Sequence, residues 1–415
     1  MSRYRSFIAT CLSLWIGSAT AWSAPGDWPQ WRGADRTGVN QETGLLQDWP
    51  EGGPPQVWLF KDCGIGYSGP AIVGDELYIM GARNGHEQLI ALNAQTGTEL
   101  WAVDLSDVLE NNWGDGPRAT PTVDGDRIYA MAAPGKLSCV NRKDGSIVWS
   151  KAMSDLGGEV PQWGYTESVL VDGNLVLCTP GGEQGTMAAL NKETGELVWQ
   201  SKDIKEGAQY SSIIVVNHAG KRQYIQLTQK YLFGVDAENG NVLWKSEWGG
   251  RVAVIPTPIY HDGHVYITAG YGVGCKLVKI DDNQQVSTVY ENKEMKNHHG
   301  GVILLNGHLF GHSDGSGWLC QDFMTGEATW RERDGLAKGS IAYADGRFYC
   351  MSETGDVVLI EASTEGWKEH GKFTLDPQTT LRKPDGRIWT HPVIANGRLY
   401  LRDQDLLFSF DLKAK

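Results

Sequence analysis

A nine-residue cassette recurs along the chain: Asn93-Ala-Gln-Thr-Gly-Thr-Glu-Leu-Trp101, Asn141-Arg-Lys-Asp-Gly-Ser-Ile-Val-Trp149, Asn191-Lys-Glu-Thr-Gly-Glu-Leu-Val-Trp199, Asp236-Ala-Glu-Asn-Gly-Asn-Val-Leu-Trp244 and Asp322-Phe-Met-Thr-Gly-Glu-Ala-Thr-Trp330. Each copy joins two strand-like stretches. The leading Asn or Asp side chain satisfies free N–H groups of the turn, and the Gly takes a left-handed backbone conformation. One such unit, repeated every 40 to 50 residues or roughly so, buries its faces only by stacking on its neighbours. Short strands, tight turns, 17 Trp and 52 Gly are the material of a closed ring of blades.

Hairpin turns between the first and second strand of each unit give the count. They fall at Gly74-Asp75, Asp124-Gly125, Asp172-Gly173, Asn217 to Gly220, Asp262-Gly263, Asn306-Gly307, Asp345-Gly346 and Asn396-Gly397, where a two-residue hairpin demands positive φ. Eight turns predict an all-β fold, an eight-bladed β-propeller of four-stranded antiparallel blades. The last unit stops after its third strand, and Pro55-Gln-Val-Trp-Leu-Phe60 reads as the missing fourth, so an N-terminal strand closes the ring. Trp58, Trp101, Trp149, Trp199, Trp244 and Trp330 are expected to dock each blade on the next. Blade five, at 281–290, lacks the Gly and the Trp of the cassette.

Arg3 and Arg5 precede an apolar stretch from Phe7 to Trp22, too short and too interrupted for a membrane span, with small-residue cleavage sites ending at Ala21 or Ser23. The expected organisation is a signal peptide at 1–23, an N-terminal extension at 24–54 and one propeller domain at 55–415, in a periplasmic or secreted protein. Lipidation would need Cys11, which too little apolar sequence precedes. Export leaves Cys63, Cys139, Cys178, Cys275, Cys320 and Cys350, an even number that permits disulfides, although the wide spacing suits buried strand residues. A formal charge of −13 opposes nucleic acid or an anionic membrane as partner, and a monomer is expected.

The cassette resembles the pyrroloquinoline quinone (PQQ) repeat of quinoprotein alcohol dehydrogenases and of the propeller subunit of the outer-membrane β-barrel assembly machinery. Asp27-Trp-Pro-Gln-Trp-Arg-Gly33, Arg36-Thr-Gly-Val39, Lys296-Asn-His-His-Gly-Gly301 and Trp389-Thr-His-Pro392 are similar to segments of secreted PQQ-like propellers of planctomycetes. The enzymes that the repeat resembles hold the quinone against a ring of two adjacent disulfide-bonded cysteines, with Ca²⁺ bound by acidic and amide side chains. This chain has no Cys-Cys pair and no C-x-x-C-H haem motif. The resemblance therefore implies the fold and leaves PQQ with Ca²⁺ as a possible cofactor whose familiar site residues are missing; no catalytic residue is assigned.

Strand alternation puts the stereotyped turns on one face of the ring and the irregular loops on the other, where function usually resides. Ligand-binding candidates on that face are Arg118, Tyr165, Glu167, Tyr210, Arg251, His298, His299, Lys338, Glu353, Trp389 and His391. Tyr67, Trp163 and Tyr271 share these positions. Such a ring suits a small anionic or planar ligand, or a protein partner. No metal centre is expected: His261 and His264 span a hairpin, and His298 and His299, as neighbours in an extended strand, would point apart. The expected function is an exported, non-catalytic binding or assembly scaffold, the alternative a PQQ-dependent oxidoreductase with an atypical site.

Overall fold

The computed structural model describes residues 26–414; the expected leader and Cys11 lie outside the described residues. Eight sheets follow one another around a ring, each with an antiparallel four-strand meander. The first blade consists of Ala71–Val73, Glu76–Arg83, His86–Asn93 and Glu99–Asp107. The inner strands of blades two to seven are Thr122–Asp124, Leu170–Asp172, Ile214–His218, Ile259–His261, Val302–Leu305 and Gly339–Ala344. Blade eight joins Val393–Ala395, Arg398–Asp403 and Leu406–Asp411 to Gln56–Phe60, with Trp58 opposite Ser409 and Phe60 opposite Leu407. The N-terminal strand thus closes the ring and removes two open sheet edges.

Turn chemistry sets these hairpins, and two of them lie one residue beyond the expected Asp-Gly pairs. Asp124 pairs with Arg127 and Asp172 with Leu175, so Gly125-Asp126 and Gly173-Asn174 make the turns there. The core between blades is built from second-strand side chains, among them Tyr78, Tyr129, Tyr224, Tyr266, Tyr349 and Tyr400, all buried. Among the described residues, no helix is long and apolar enough to cross a membrane.

Four of the cassette tryptophans cover a glycine of the next blade. A Cβ at Gly97, Gly145, Gly195 or Gly240 would lie 2.7, 2.7, 2.7 or 2.4 Å from the ring of Trp58, Trp101, Trp149 or Trp199. Glycine is required here for the close approach as well as for its positive φ. The indole N–H groups of Trp58, Trp149, Trp199 and Trp330 donate to carbonyls of the next blade, at Ala94, Lys192, Ala237 and Ser363. Trp244 departs from this arrangement because blade five offers it no turn glycine. It packs on Gly234 of its own blade and donates to Gln223 Oε1 at 2.6 Å. In blade five Tyr290 replaces the Trp, covering Gly326 and donating to Phe323 O at 3.0 Å.

The segment from Asp27 to Asn40 fills the central channel. At its start Asp27 Oδ1 accepts from Gly74 N, and just beyond its end Glu42 accepts from the main chain of Asn396 and Gly397. Both contacts are with first-hairpin turns, so the segment enters and leaves by the turn face. Between them it bonds to the inner strand, or to residues leading into it, of all eight blades. Trp28 exchanges two bonds with Ile72, and Pro29 O accepts from Val123 N. Arg36 donates to the carbonyls of Ser168, Val169 and Ile213. Trp31 Nε1 donates to Thr257 Oγ1 at 2.9 Å, and Arg32 to Val302 O at 2.6 Å. Val39–Asn40 runs parallel to Gly339–Ala344, and Asn40 Nδ2 donates to Ile394 O at 2.9 Å. Inner strands around a channel leave main-chain groups facing inward, and this segment satisfies them as an axle would fill a hub.

Candidate functional site

Because the axle comes in from the turn face, the channel ends on the loop face as a blind cup of about 280 Å³. Trp31 closes it from below, its ring centroid 4.7 Å from that of His391. The wall is aromatic. Tyr67 lies 5.0 Å from Trp389 at an interplanar angle of 38°, and Trp163 lies 5.6 Å from Tyr210 at 56°. Trp113, Val252 and Tyr271 form the rim and are 46%, 52% and 40% exposed. Val252 and Tyr271 both have φ of +56°, a region costly for a β-branched or bulky residue.

Polar groups in the cup are few and already oriented. Arg118, half-buried over the Tyr67 ring at 5.3 Å, donates to Gly116 O and Gly114 O, each at 2.7 Å. Burial lowers its pKa. Among the described residues, no Asp, Glu or Lys lines the cup. Ser168 and Ser212 line it too; their hydroxyl oxygens accept from the N–H groups of Thr120 and Ser168, which leaves each with a proton to donate. His391 Nε2 bonds to His299 O at 2.7 Å, and burial, then the charge of Arg32, lowers its pKa to about 3.

Behind one wall sits a charged network. His299 Nε2 meets Glu353 Oε1 at 2.8 Å, and Trp389 Nε1 donates to the same oxygen at 2.9 Å. Burial alone would push the Glu353 carboxyl up, but the His299 bond and charge, the Trp389 N–H and Lys338 bring it down to about 2. Lys338 Nζ lies 2.9 Å from Asp314 Oδ1 and donates to His298 Nδ1 at 2.8 Å. Burial, then His299 and Lys338, hold His298 well below its ordinary pKa, so the ring is neutral.

Strand alternation predicts that His298 and His299 point apart. They do not, because this stretch is not a strand: the chain bends at His299 and Gly300, and the two rings lie 5.4 Å apart at 75°. One ligand atom from each of His298, His299 and Glu353 falls within 4.8 Å of the others. Donor chemistry disfavours a metal there. The Lys338 ammonium already occupies one His298 nitrogen and would repel a cation there, and a metal at His299 Nε2 would displace that ring's bond to Glu353.

Of the residues singled out in the sequence, the cup brings together Arg118, Tyr210, His298, His299, Trp389 and His391. Glu353 and Lys338 stand behind its wall and orient its histidines. Tyr165 is buried, its hydroxyl donating to Glu159 O and Pro180 O. Glu167 is buried beside Arg36, accepting from Thr179 N and Oγ1; burial raises its pKa to about 7. Arg251 is exposed and does not line the cup. Sequence reasoning missed Trp31 and Trp113. Trp113 offered a signal: an aromatic in the loop Asn111-Asn-Trp-Gly-Asp-Gly116 has no strand to pack.

The fold and the cup together define a PQQ-repeat propeller whose channel is filled from one side. Residues 85–332 match the family described as outer membrane protein assembly factor BamB, and the chain belongs to that family. The axle and blades seven and eight lie outside the matched residues. BamB of Alkalilimnicola ehrlichii is 26% identical over 223 residues, 52% of this chain and 52% of that protein. Quinoprotein alcohol dehydrogenase PedH of Pseudomonas putida is 29% identical over 161 residues, 36% of this chain and 26% of that protein. The chain thus spans about half the length of the first relative and a quarter of the second. The crystal structure of BamB from Moraxella catarrhalis superposes with a TM-score of 0.62 over 87% of this chain and 98% of that one, at 16% identity, a likeness of fold alone.

Proposed function

We propose that the protein is an exported, non-catalytic binding scaffold that engages its ligand or partner through the cup face. The observation that carries this reading is the blind aromatic cup with exposed Trp113, Val252 and Tyr271 at its rim. Large apolar side chains left in water around a concavity mark an interaction site. Membership of the BamB family supports an assembly role, since the relatives are named as assembly factors.

The quinoprotein alternative fits the residues poorly. Ca²⁺ takes six to eight oxygen ligands, or about that number, whereas among the described residues the cup lining holds no carboxylate and Glu353 is committed to His299 and Trp389. A tricarboxylate would meet one guanidinium, that of Arg118. The six described cysteines are all buried and free, so no adjacent pair exists to cover a quinone.

The test is retention of a discrete periplasmic component on the immobilised protein, compared with a Trp113→Ala/Tyr271→Ala variant. Loss of retention with unchanged thermal stability supports the reading. Equal retention by both proteins refutes it.

A further inference from the structure

We infer that the cup is a subsite for a single pyranose ring bearing one carboxylate, the end of a uronic-acid saccharide. The inference rests on the binding-scaffold reading and gives its ligand a chemistry. Size comes first. At about 280 Å³ the cup lies just under the ~300–1,000 Å³ of sites that enclose drug-sized molecules, which suits one ring with its chain continuing out past the rim.

Shape comes second. Neighbouring rings in the wall meet at 38° and 56°, and Trp31 meets His391 at 54°. These surfaces form a faceted bowl and offer no flat slot for a planar aromatic. A puckered ring presents C–H faces in several directions and can lie against such facets, while its hydroxyls reach polar groups between them. Ser168 and Ser212 stand there with free hydroxyl protons, each oxygen already fixed by a backbone N–H.

Charge comes third. Among the described residues Arg118 is the one Lys or Arg side chain on the lining, and no Asp or Glu shares the lining with it. Two of its nitrogens are pinned by Gly114 O and Gly116 O, so its plane is preset over Tyr67. The carboxylates nearest in effect, Glu87 and Asp115, lie off the lining and are taken up by Leu109 N and Ala133 N and by Asn111 N and Lys383, so the preset guanidinium favours one further anionic group, which a uronate supplies and a neutral sugar does not. The rim adds a fourth point. Val252 and Tyr271 hold unfavourable backbone conformations with their apolar side chains in water, an expense that a surface serving only the fold would not need.

The experiment is calorimetric titration of the protein with a glucuronate trisaccharide, its neutral glucose counterpart, and benzoate as a planar carboxylate. The expected result is saturable one-to-one binding of the uronate, roughly tenfold weaker binding of the neutral sugar, and weaker binding still of benzoate. Arg118→Gln removes the guanidinium that donates to the two glycine carbonyls, and it should bring uronate and neutral sugar to equal affinity. That ratio would hold even if the variant were less stable. Trp113→Ala, which leaves intact the main-chain carbonyl that accepts from Tyr67, should weaken both sugars by about tenfold. Benzoate binding more tightly than the uronate, no uronate binding, or an undiminished preference for uronate in Arg118→Gln would each overturn the inference. If saccharides fail while retention of a partner still depends on Trp113 and Tyr271, the saccharide inference alone falls. If both fail, the scaffold reading falls with it.

Discussion

Arg36 ties the axle to blades three and four, and its replacement tests the role of the whole segment. Its guanidinium donates to Ser168 O and Ile213 O, both at 2.9 Å, to Val169 O, and to Gln30 Oε1 at 2.9 Å. Burial lowers its pKa to about 9, against the pull of Glu167, so it remains charged at neutral pH. Arg36→Met keeps the aliphatic stem and deletes every one of these bonds. Val169 O retains the Thr122 hydroxyl, so the main loss is at two carbonyls, at ~1–3 kcal/mol each for a buried group left unsatisfied. Glu167 also loses the cation that opposes its protonation. The sum is ~3–5 kcal/mol. A domain of this length unfolds with an entropy of about 0.8 kcal/mol per degree, so the melting midpoint should fall by about 5 °C. Scanning calorimetry reads that shift. Hydrogen exchange should show the amides of Trp28 and Gly38, bonded to Ile72 O and Arg32 O, losing protection before the blades do. A variant that melts within about 1 °C of the parent, with those amides still protected, would refute the idea that the axle is held in place by this residue.

Three further outcomes follow from the same contacts. Glu167 holds its proton to about 7 when folded but only to 4.5, its ordinary value, when unfolded, so its stabilising proton is fully present below 4.5 and lost as pH rises to 7. Relative to Glu167→Gln, the parent should therefore lose about 3 kcal/mol between those limits by chemical denaturation, and a constant difference would contradict the assignment. Trp149→Ala removes the ring over Gly195 and the bond to Lys192 O; urea unfolding should show a loss of about 3 kcal/mol, the low end for an aromatic because the ring is half-buried. Cys63, Cys139, Cys178, Cys275, Cys320 and Cys350 are buried and unpaired, so a reducing agent should leave the melting midpoint unchanged and all six should react with a thiol reagent only after unfolding.

The blades were legible because their signals are local. An Asn-Gly or Asp-Gly pair fixes a hairpin whatever surrounds it, and a Thr-Gly before a Trp fixes the next turn. Blade five shows the limit of this: Tyr290 does the work of a Trp, which only the neighbouring Gly326 reveals. The axle was opaque for the opposite reason. Arg32 and Arg36 look like surface residues in sequence, yet both are buried, bonded to carbonyls of strands 130 residues or more away. Half of the cup could be read by keeping in phase with the repeat, which found Arg118, Tyr210, Trp389 and the histidines. The remainder could not, because Trp31 comes from the axle and the bend at His299 replaces the alternation of an extended strand.

The axle also imposes an order of assembly. Its residues are among the first of the described chain to be made, and the acceptors of Arg36, Arg32 and Asn40 come from blades three, four, six and eight. A segment that touches every blade has no binding place until every blade exists, and the closing strand Gln56–Phe60 must likewise wait for Leu406–Asp411. Both events at the N-terminal end are therefore tied to arrival of the C-terminal end, so that an incomplete chain remains an open arc with a vacant channel. Such an arc would present no finished cup, and the cup face forms only once the last strand is in place.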